Sequence, residues 1–390
     1  MTRRLPLYLG GFMGPFGTVV ILPMFPELRT SFDASREAVG WGFTVYLLPF
    51  AALLIVSGTL GERWGRRRTV RTTFVVYAAA SLVCAVAPTL AVFLAGRALQ
   101  GVANAFITPL LLAGLADLTP EAELGRRVGI YSSFQSFGSA LAPLVGGLAA
   151  DTNWRWAFVG TAAVAIVLSM FPPDGEPRRD VARPPVRPLL SRRMVLLGVV
   201  AFTAAAGPIG ASVLVGVAAR DELDLSGGEA GVILLLGSAA AMVLGPVWGR
   251  ALDAWGPRTA GVGSVTVVSL VVLAMGWSSA PWSLGFLWLV AGAVTAFVVV
   301  VLQATAAKAV PQNRGGAVSS MLAYRFLGHA LGPVVWLPLF GVSPRAAFAG
   351  SAALGAVSVI AFIGATAPAR GADVSATPAP GLAEPRHSLE

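Results

Sequence analysis

The chain has 390 residues, of which 56% are hydrophobic and only 12% are charged. An average soluble domain has about 25% charged residues, so this composition excludes an ordinary soluble protein and indicates one that lies in a lipid bilayer. The net charge of +9 would fit a nucleic-acid partner only if the basic residues formed one surface patch.

Apolar runs long enough to cross a membrane recur along the chain, and they predict an all-α integral membrane protein. A helix needs about 20 mainly apolar residues to span the hydrocarbon core. Twelve such runs, numbered here span 1 to span 12, are separated by short polar breaks that contain glycine or proline. The predicted spans are 5–26, 37–60, 70–88, 89–116, 128–150, 154–172, 193–219, 227–251, 258–277, 281–307, 315–341 and 344–367.

The first run follows Arg3 and Arg4, as the apolar part of a secretory signal peptide would. It is long, contains Pro15 and Pro23 and lacks an Ala-x-Ala cleavage site, so we expect a transmembrane span. The single cysteine, Cys84, cannot form an intramolecular disulfide, and we expect it to be a small packing residue.

The basic residues are divided unequally between the two sides of the membrane. When the loops are assigned alternately, only five of the 28 lysine and arginine residues lie opposite the N terminus, and two lie inside spans. Cytoplasmic loops carry the excess of these residues, which predicts a multi-pass inner-membrane protein with both termini in the cytoplasm. The basic excess therefore reflects topology, and no nucleic-acid partner is expected.

A glycine-punctuated basic segment, Gly58 to Val70, follows span 2. Its glycines permit a tight turn and close helix approach, and its carboxylate can form charge-assisted bonds with the arginines. The end of span 8, from Gly249 to Thr259, echoes it. The alternative is a basic run that only fixes topology. The predicted conformational gate consists of Gly58, Glu62, Arg63, Gly65, Arg66, Arg67, Asp253, Gly256 and Arg258.

Span 4 contains an arginine, Arg97, at membrane depth. Gln100, Gly101, Asn104 and Thr108 follow at spacings that place them on the same helix face. An arginine inside a span is expensive unless it faces protein or a water-filled cavity. Arg97 is therefore either a cavity residue or a structural arginine bonded to carbonyl groups.

Span 5 is rich in small residues, and span 11 repeats part of its pattern. Small residues let helices pack backbone to backbone, and proline supplies a bend. Such a helix can serve as a rocking contact, or it can be an ordinary packing helix. The predicted helix-packing motif is Gly138, Pro143, Gly146, Gly147, Gly332 and Pro333.

Two related halves are joined by a polar segment rich in proline and arginine. Pro120 and Pro143 of the first half recur as Pro311 and Pro333. Parallel six-helix repeats place a substrate path along the interface between the halves. The predicted organisation is a first half at 1–172, a cytoplasmic linker at 173–192, a second half at 193–367 and a disordered tail at 368–390.

Span 11 carries Tyr324, Arg325 and His329 near its middle. Arg325 and His329 are four residues apart, so they share a face about one helical turn apart. The cavity is thus expected to favour anionic, zwitterionic or neutral substrates, although His329 could instead be an interhelical hydrogen-bonding residue. The predicted substrate-cavity residues are Arg97, Gln100, Asn104, Gln135, Gln303, Tyr324, Arg325 and His329.

No acidic residue falls deep inside an apolar run, which limits the candidates for proton coupling. Proton antiport needs a group whose protonation changes during the transport cycle. Glu27, at the outer end of span 1, is the best placed carboxylate, although it could be a solvated loop residue. His329 is the other candidate because imidazole titrates near neutral pH. If neither titrates, facilitated diffusion is the better description.

Several of these motifs resemble a known family. Gly58 to Val70 resembles the signature loop of the major facilitator superfamily, with Glu62 where the family has aspartate. Arg97 to Gly101 resembles its R-x-x-q-G motif, Gly138 to Gly147 its antiporter motif, and Leu22 to Pro26 an element of its twelve-helix drug:proton antiporters. The resemblance implies twelve transmembrane helices in two pseudo-symmetric six-helix halves, with a gate at the signature loop that locks the outward-facing state.

The resemblance also implies a secondary active exporter of small, largely apolar, drug-like compounds, working by alternating access and proton antiport. Its partners would be a small-molecule substrate, protons and the bilayer, and it would act as a monomer without a cofactor or a metal. The alternatives are an exporter or uniporter of an endogenous metabolite such as an amino acid, sugar or siderophore, and a non-transporting sensor. An ATP-driven pump is not expected because the sequence contains no phosphate-binding loop. An enzyme is not expected because the sequence contains no set of nucleophile and base and no set of metal ligands.

Overall fold

The computed structural model describes residues 4–175 and 187–367, and within them the regular elements are helices. The helices of the first half are Leu5–Val19 and Phe25–Phe32 (span 1), Arg36–Trp64 (span 2), Arg66–Val86 (span 3), Leu90–Asp117 (span 4), Glu121–Ala150 (span 5) and Arg155–Ser169 (span 6). Those of the second half are Arg192–Ala206 and Ser212–Val217 (span 7), Gly227–Met275 (spans 8 and 9), Pro281–Ala309 (span 10), Arg314–Val342 (span 11) and Pro344–Ala365 (span 12).

The predicted twelve-span architecture is confirmed. Ten segments are long and apolar enough to cross a membrane, four in the first half and six in the second, and the helices Glu121–Ala150 and Arg155–Ser169 bring the first half to six. Spans 8 and 9 are separated by Gly256, whose φ of 72° lies in the left-handed region that glycine adopts without strain. Span 1 extends to Phe32, beyond its predicted end. Most of the linker, at 176–186, and the predicted disordered tail lie outside the described residues.

The two halves meet through two equivalent pairs of helices. Span 2 packs against span 11, where the hydroxyl of Thr44 donates a hydrogen bond of 2.7 Å to the carbonyl oxygen of Ala330. Span 5 packs against span 8, where the carbonyl oxygen of Pro143 lies against Gly231. Because span 8 is the repeat of span 2 and span 11 the repeat of span 5, the two contacts are related by the pseudo-symmetry of the halves.

Spans 1 and 7 are interrupted at equivalent positions. The helix Leu5–Val19 gives way to a 3-10 turn at Leu22–Met24, and the helix Arg192–Ala206 gives way to one at Pro208–Gly210. Each interrupted helix has 15 residues, so each break falls at the same depth. We call the end of the bundle where span 1 begins and span 12 ends the termini side, and the opposite end the distal side.

Candidate functional site

Charged side chains join the two halves on the distal side. Arg220, at the end of span 7, donates a hydrogen bond to Glu27 of span 1. Its neighbour Asp221 pairs with Arg36 of span 2 at 2.6 Å and with Arg29 of span 1 at 3.4 Å. The side chain of Asp221 is 14% exposed, and that of Glu27 is 23% exposed. We call these five residues the distal lock.

A π-helical turn presents both lock residues of span 7 to the other half. The turn Ala218–Glu222 is closed by a hydrogen bond from the backbone N–H of Leu223 to the carbonyl oxygen of Ala218. A π turn accommodates one more residue than an α turn and is frequent at functional sites. The guanidinium of Arg220 also donates to the carbonyl oxygen of Leu225 at 2.7 Å, which fixes this side chain.

Asp151, at the distal end of span 5, caps span 8 of the other half. Its two carboxylate oxygens accept hydrogen bonds from the backbone N–H groups of Gly227 and Gly228, each at 2.7 Å. A carboxylate at a helix N-terminus satisfies backbone donors and interacts favourably with the helix dipole. These bonds exist only while the distal ends of spans 5 and 8 are in contact.

The predicted packing residues of span 5 face two different helices. A Cβ atom at Gly138 would clash with the carbonyl oxygen of Phe12, and one at Gly146 with that of Val20, both in span 1. A Cβ atom at Gly147 would clash with the carbonyl oxygen of Gly227 in span 8. Span 5 therefore contacts its own half and the opposite half through backbone atoms, which is the arrangement that small residues permit.

On the termini side, the signature loop is held within the first half. Gly65 has a φ of 90°, the left-handed conformation that lets span 2 turn directly into span 3. The guanidinium of Arg66 is 1% exposed and pairs with Glu62 at 2.6 Å and with Asp117 at 2.7 Å. It also donates to the carbonyl oxygen of Asp174, so the start of the linker packs on the same arginine.

The other predicted gate residues lie near this loop and at the equivalent junction of the second half. Gly58 approaches Pro109 of span 4, and the Nε atom of Arg63 is buried without a hydrogen-bond partner within the described residues. Arg67 is exposed and lies 3.5 Å from the carboxylate of Asp174. In the second half, the gate residues lie at the junction of spans 8 and 9, and they are Asp253, Gly256 and Arg258.

Arg97 is fully buried inside the first half. Its guanidinium donates to the carbonyl oxygens of Gly42 at 3.0 Å and Gly17 at 2.8 Å, and it stacks on the ring of Tyr46. It also donates to the side chain of Gln100 at 2.8 Å. The carbonyl of Gly17 lies just before the break in span 1, where helical carbonyls lose their usual partners. The arginine thus stabilises the interrupted helix.

Three other predicted cavity residues are amides with different surroundings. Asn104 is 3% exposed, lies against Gly14 of span 1, and has no hydrogen bond to its Oδ1 atom within the described residues. Gln135 and Gln303 are partly buried. These amides come from spans 4, 5 and 10. Span 5 lies at the interface between the halves, and spans 4 and 10 pack against helices that form it.

The polar residues of span 11 occupy a distinct arc of the helix. Phe326 contacts Phe50 of span 2 with ring centroids 4.8 Å apart, and Gly328 packs on the backbone of span 7. At 100° per residue, Arg325 and His329 lie on the arc between these two contacts. On the opposite arc lie Leu327, Leu331, Val335, Pro338 and Val342, an apolar set suited to lipid.

The remaining motif residues of span 11 pack on span 7. Gly332 lies against the backbone of Ala206, and Pro333 is buried beside it. The indole N–H of Trp336 donates to the carbonyl oxygen of Ala206, which is the last residue before the break in span 7. Tyr324 is exposed and packs on Gly198 of span 7.

The distal lock and the paired breaks were not predicted from the sequence. One signal for the lock was available, because Arg29, Arg36 and Arg220 are three of the five cations on the side that is poor in basic residues. A cation on that side opposes the topological bias and therefore has a specific role more often than one on the termini side.

Comparisons with known proteins agree with this arrangement. The model of the family described as Major Facilitator Superfamily matches residues 7–217 and, separately, residues 195–387. The chain is 33% identical over 153 residues to the puromycin resistance protein pur8 of Streptomyces alboniger, which is 39% of this chain and 30% of that protein. It is 32% identical over 153 residues to the drug efflux pump JefA of Mycobacterium tuberculosis, with the same two coverages.

The matched region spans less than a third of each of those relatives. Among solved structures, the chain resembles a bacterial homolog to the human lysosomal transporter Spinster in an inward-facing and occupied conformation, with a TM-score of 0.77 and 17% identity, over 93% of this chain and 96% of that one. It also resembles a mutant of the nucleoside transporter NupG, with a TM-score of 0.77 and 14% identity, over 94% and 100% of the two chains. These structural similarities concern the fold alone.

Proposed function

Because this chain belongs to the major facilitator superfamily, we propose that it is a secondary active exporter of small, largely apolar compounds. It works by alternating access of its two halves and is driven by proton antiport. The direction and the substrate class are supported by the relatives, which are named as a drug efflux pump and a puromycin resistance protein. The interruption of spans 1 and 7 at equivalent positions of the two halves supports a path between the halves.

The orientation follows from the basic loops. Cytoplasmic loops carry the excess of lysine and arginine, so the termini side faces the cytoplasm and the distal side faces outward in the inner membrane. In this orientation, the distal lock closes the outer end of the path, and the conformation is inward-facing.

The observation that carries alternating access is the position of the bonds between the halves. Among the described residues, the cross-half ion pairs join span 7 to spans 1 and 2, all at the distal end. The cross-half hydrogen bonds lie there or in the distal part of the span 2 and span 11 contact. Rocking the halves about this contact breaks the distal bonds and brings the termini-side loops together.

The signature loop then supplies the opposite lock. In the present conformation, Arg66 is paired within its own half with Glu62 and Asp117. Arg63 keeps a buried Nε without a partner within the described residues. When the termini side closes, Arg63 and the neighbouring Arg67 approach span 11, while Asp253 and Arg258 at the equivalent junction of the second half approach span 5.

Of the two candidates for proton coupling, we assign the role to His329. A proton carrier in an antiporter must stay protonated while the distal side closes. Glu27 meets Arg220 when that side closes, and a protonated carboxyl group would lose the charge that makes this bond strong. Glu27 is therefore a lock residue, whereas His329 lies between the contacts with spans 2 and 7 and can exchange protons with either side in turn.

The test is proton movement in everted membrane vesicles that have been energised to an acidic interior. A pH-sensitive dye follows proton release as chemically varied apolar compounds are added to wild type, His329→Asn and Glu27→Gln. We expect compound-dependent release in wild type and Glu27→Gln, and none in His329→Asn.

Two results would contradict the proposal in different ways. Release that persists in His329→Asn would move the coupling site elsewhere. Compound flux that is independent of the gradient, with no proton release for any compound, would replace the antiporter with a uniporter.

A further inference from the structure

The middle of span 11 contains a cation that has no counter-ion within the described residues. Within the described residues, the guanidinium of Arg325 has neither a hydrogen bond nor an ion pair, and its Nε atom is buried without a partner. It stacks beside Phe326 at 5.0 Å from the ring centroid. This differs from Arg97, whose guanidinium donates to carbonyl oxygens of spans 1 and 2. The donors of Arg325 are thus free for a group that enters the path.

The side chain next to it is fixed in one tautomer. The Nδ1 atom of His329 lies 3.0 Å from the backbone carbonyl oxygen of Arg325. A carbonyl oxygen can only accept, so Nδ1 carries the hydrogen in the neutral ring, and Nε2 has the lone pair. Within the described residues, Nε2 has no hydrogen-bond partner. His329 therefore presents an acceptor one turn away from the donors of Arg325.

His329 lies beside an interrupted helix. A Cβ atom at Gly210, in the break of span 7, would lie 4.0 Å from Cδ2 of the His329 ring. In transporters, discontinuous helices at matching positions of the two halves mark the substrate site. The other break, in span 1, has its carbonyls bonded to Arg97, so the free polar groups are on the span 11 side.

We propose that Arg325 and His329 form a substrate subsite that selects neutral compounds carrying a hydrogen-bond acceptor next to a hydrogen-bond donor, such as an amide or a hydroxy-carbonyl group, on an apolar scaffold. The acceptor binds the guanidinium of Arg325, and the donor binds Nε2 of His329. This inference rests on the proposed function and names its substrate class. Cationic compounds are disfavoured because no carboxylate in the described part of the chain lies beside Arg325.

The same geometry makes proton and substrate compete. A proton on Nε2 removes the acceptor that the substrate needs, and it adds a second positive charge beside Arg325. Binding of one therefore excludes the other, which is the condition for antiport. An anion would have the opposite effect, since it would attract a proton to His329 and the two would move together.

Within the described residues, Arg325 is the charged group that acts electrostatically on His329. The charged residues of span 11 and of its neighbours, spans 2, 7, 10 and 12, otherwise lie at span ends. They are Arg36, Glu37, Glu62, Arg63, Arg192, Arg193, Arg220, Asp221, Glu222, Lys308, Arg314 and Arg345. The other titratable groups of these spans are Tyr46 and Tyr324, which are not charged near neutral pH.

Three probes that share one ring system separate the possibilities. They are 1-naphthaleneacetamide, which is neutral with both an acceptor and a donor, 1-naphthaleneacetate, an anion, and 2-(1-naphthyl)ethylamine, a cation. Binding to the purified full chain is measured by equilibrium dialysis at pH 8 and pH 5. We expect the amide to bind at least tenfold more tightly than the amine at pH 8, and to weaken at pH 5.

The variants assign these effects to residues. Arg325→Gln should weaken amide binding at least tenfold, and His329→Asn should remove its pH dependence, whereas Arg345→Gln, an exposed arginine of span 12, should change neither. The pH dependence in wild type needs no variant, so the proposal stays testable if Arg325→Gln fails to fold.

Two results of the binding measurements overturn the proposal. The first is an amide that binds no more tightly than the amine, including the case in which neither binds. The second is an acetate that binds more tightly than the amide and gains affinity at pH 5. Proton release in vesicles driven by compounds without an acceptor and donor pair would keep the proposed function and reject this subsite. Amide binding as predicted, without proton release, would keep this subsite and reject the proposed proton antiport.

Discussion

Removing the charge of Asp221 should open the distal side. In Asp221→Asn, Arg36 and Arg29 lose their shared carboxylate, which lies 2.6 Å and 3.4 Å away. The pair with Arg36 is mostly buried, with side chains 18% and 14% exposed, and a charge-assisted bond of this kind contributes about 1.5 kcal/mol. The side chain of Arg29 is 39% exposed, so screening limits that pair to about 0.5 kcal/mol.

Together these bonds favour the distal-closed state by about 2 kcal/mol, which is about a 30-fold change in the equilibrium between the two states. A wild-type ratio of about 10:1 for closed to open would become about 1:3. The change can be measured by the distance between spin labels on Asn153→Cys and Ser279→Cys in a Cys84→Ala background. Both positions lie in exposed distal loops, one in each half. We expect a longer-distance population to grow.

Two controls make this result specific to the lock. Arg155→Gln removes a distal charge that stacks on Trp154 in its own half, so it should leave the distances unchanged. The double variant Asp221→Arg with Arg36→Asp restores an ion pair with reversed charges and should recover part of the closed population. Unchanged distances in Asp221→Asn would refute the assignment of these residues to a lock.

Three further variants test the contacts that support the mechanism. Gly147→Val should prevent distal closure and abolish transport because its side chain would clash with the backbone of span 8, whereas Gly160→Val, which has open space around it, should keep normal transport in the same assay. Arg66→Gln should lower the midpoint of thermal unfolding in detergent, since a buried guanidinium and its two carboxylate bonds are lost, and the exposed Arg68→Gln should not. Arg97→Gln should destabilise the protein by about 1–3 kcal/mol, because the buried carbonyl oxygens of Gly17 and Gly42 lose their donor; loss of transport with an unchanged midpoint would instead make Arg97 a substrate contact.

The architecture was predictable from the sequence because lipid imposes simple rules. Each span must be about 20 apolar residues long, and the polar breaks between the runs mark most of the boundaries. The junction at Gly256 was also predictable, since its segment repeats the loop around Gly65, and both glycines adopt a positive φ. The bundle contacts of Gly138, Gly146 and Gly147 follow from the need of close helices for small residues.

The sites were less predictable because side-chain partners come from distant parts of the chain. The sequence left Arg97 as either a cavity residue or a structural arginine, and only the structure brings the carbonyls of Gly17 and Gly42 to it. The lock joins residues 193 positions apart, Glu27 and Arg220, and no local pattern pairs them. The break at Pro208–Gly210 replaces the continuous helix expected over 193–219.

Proton flux in proteoliposomes is the direct test of proton antiport. The purified protein is reconstituted with a pH dye in the lumen, the membrane potential is clamped at zero, and a transported compound is added outside. Entry of the compound should drive protons out and make the lumen alkaline in wild type, with no pH change in His329→Asn. Entry without any pH change in wild type, or with acidification of the lumen, would contradict the account.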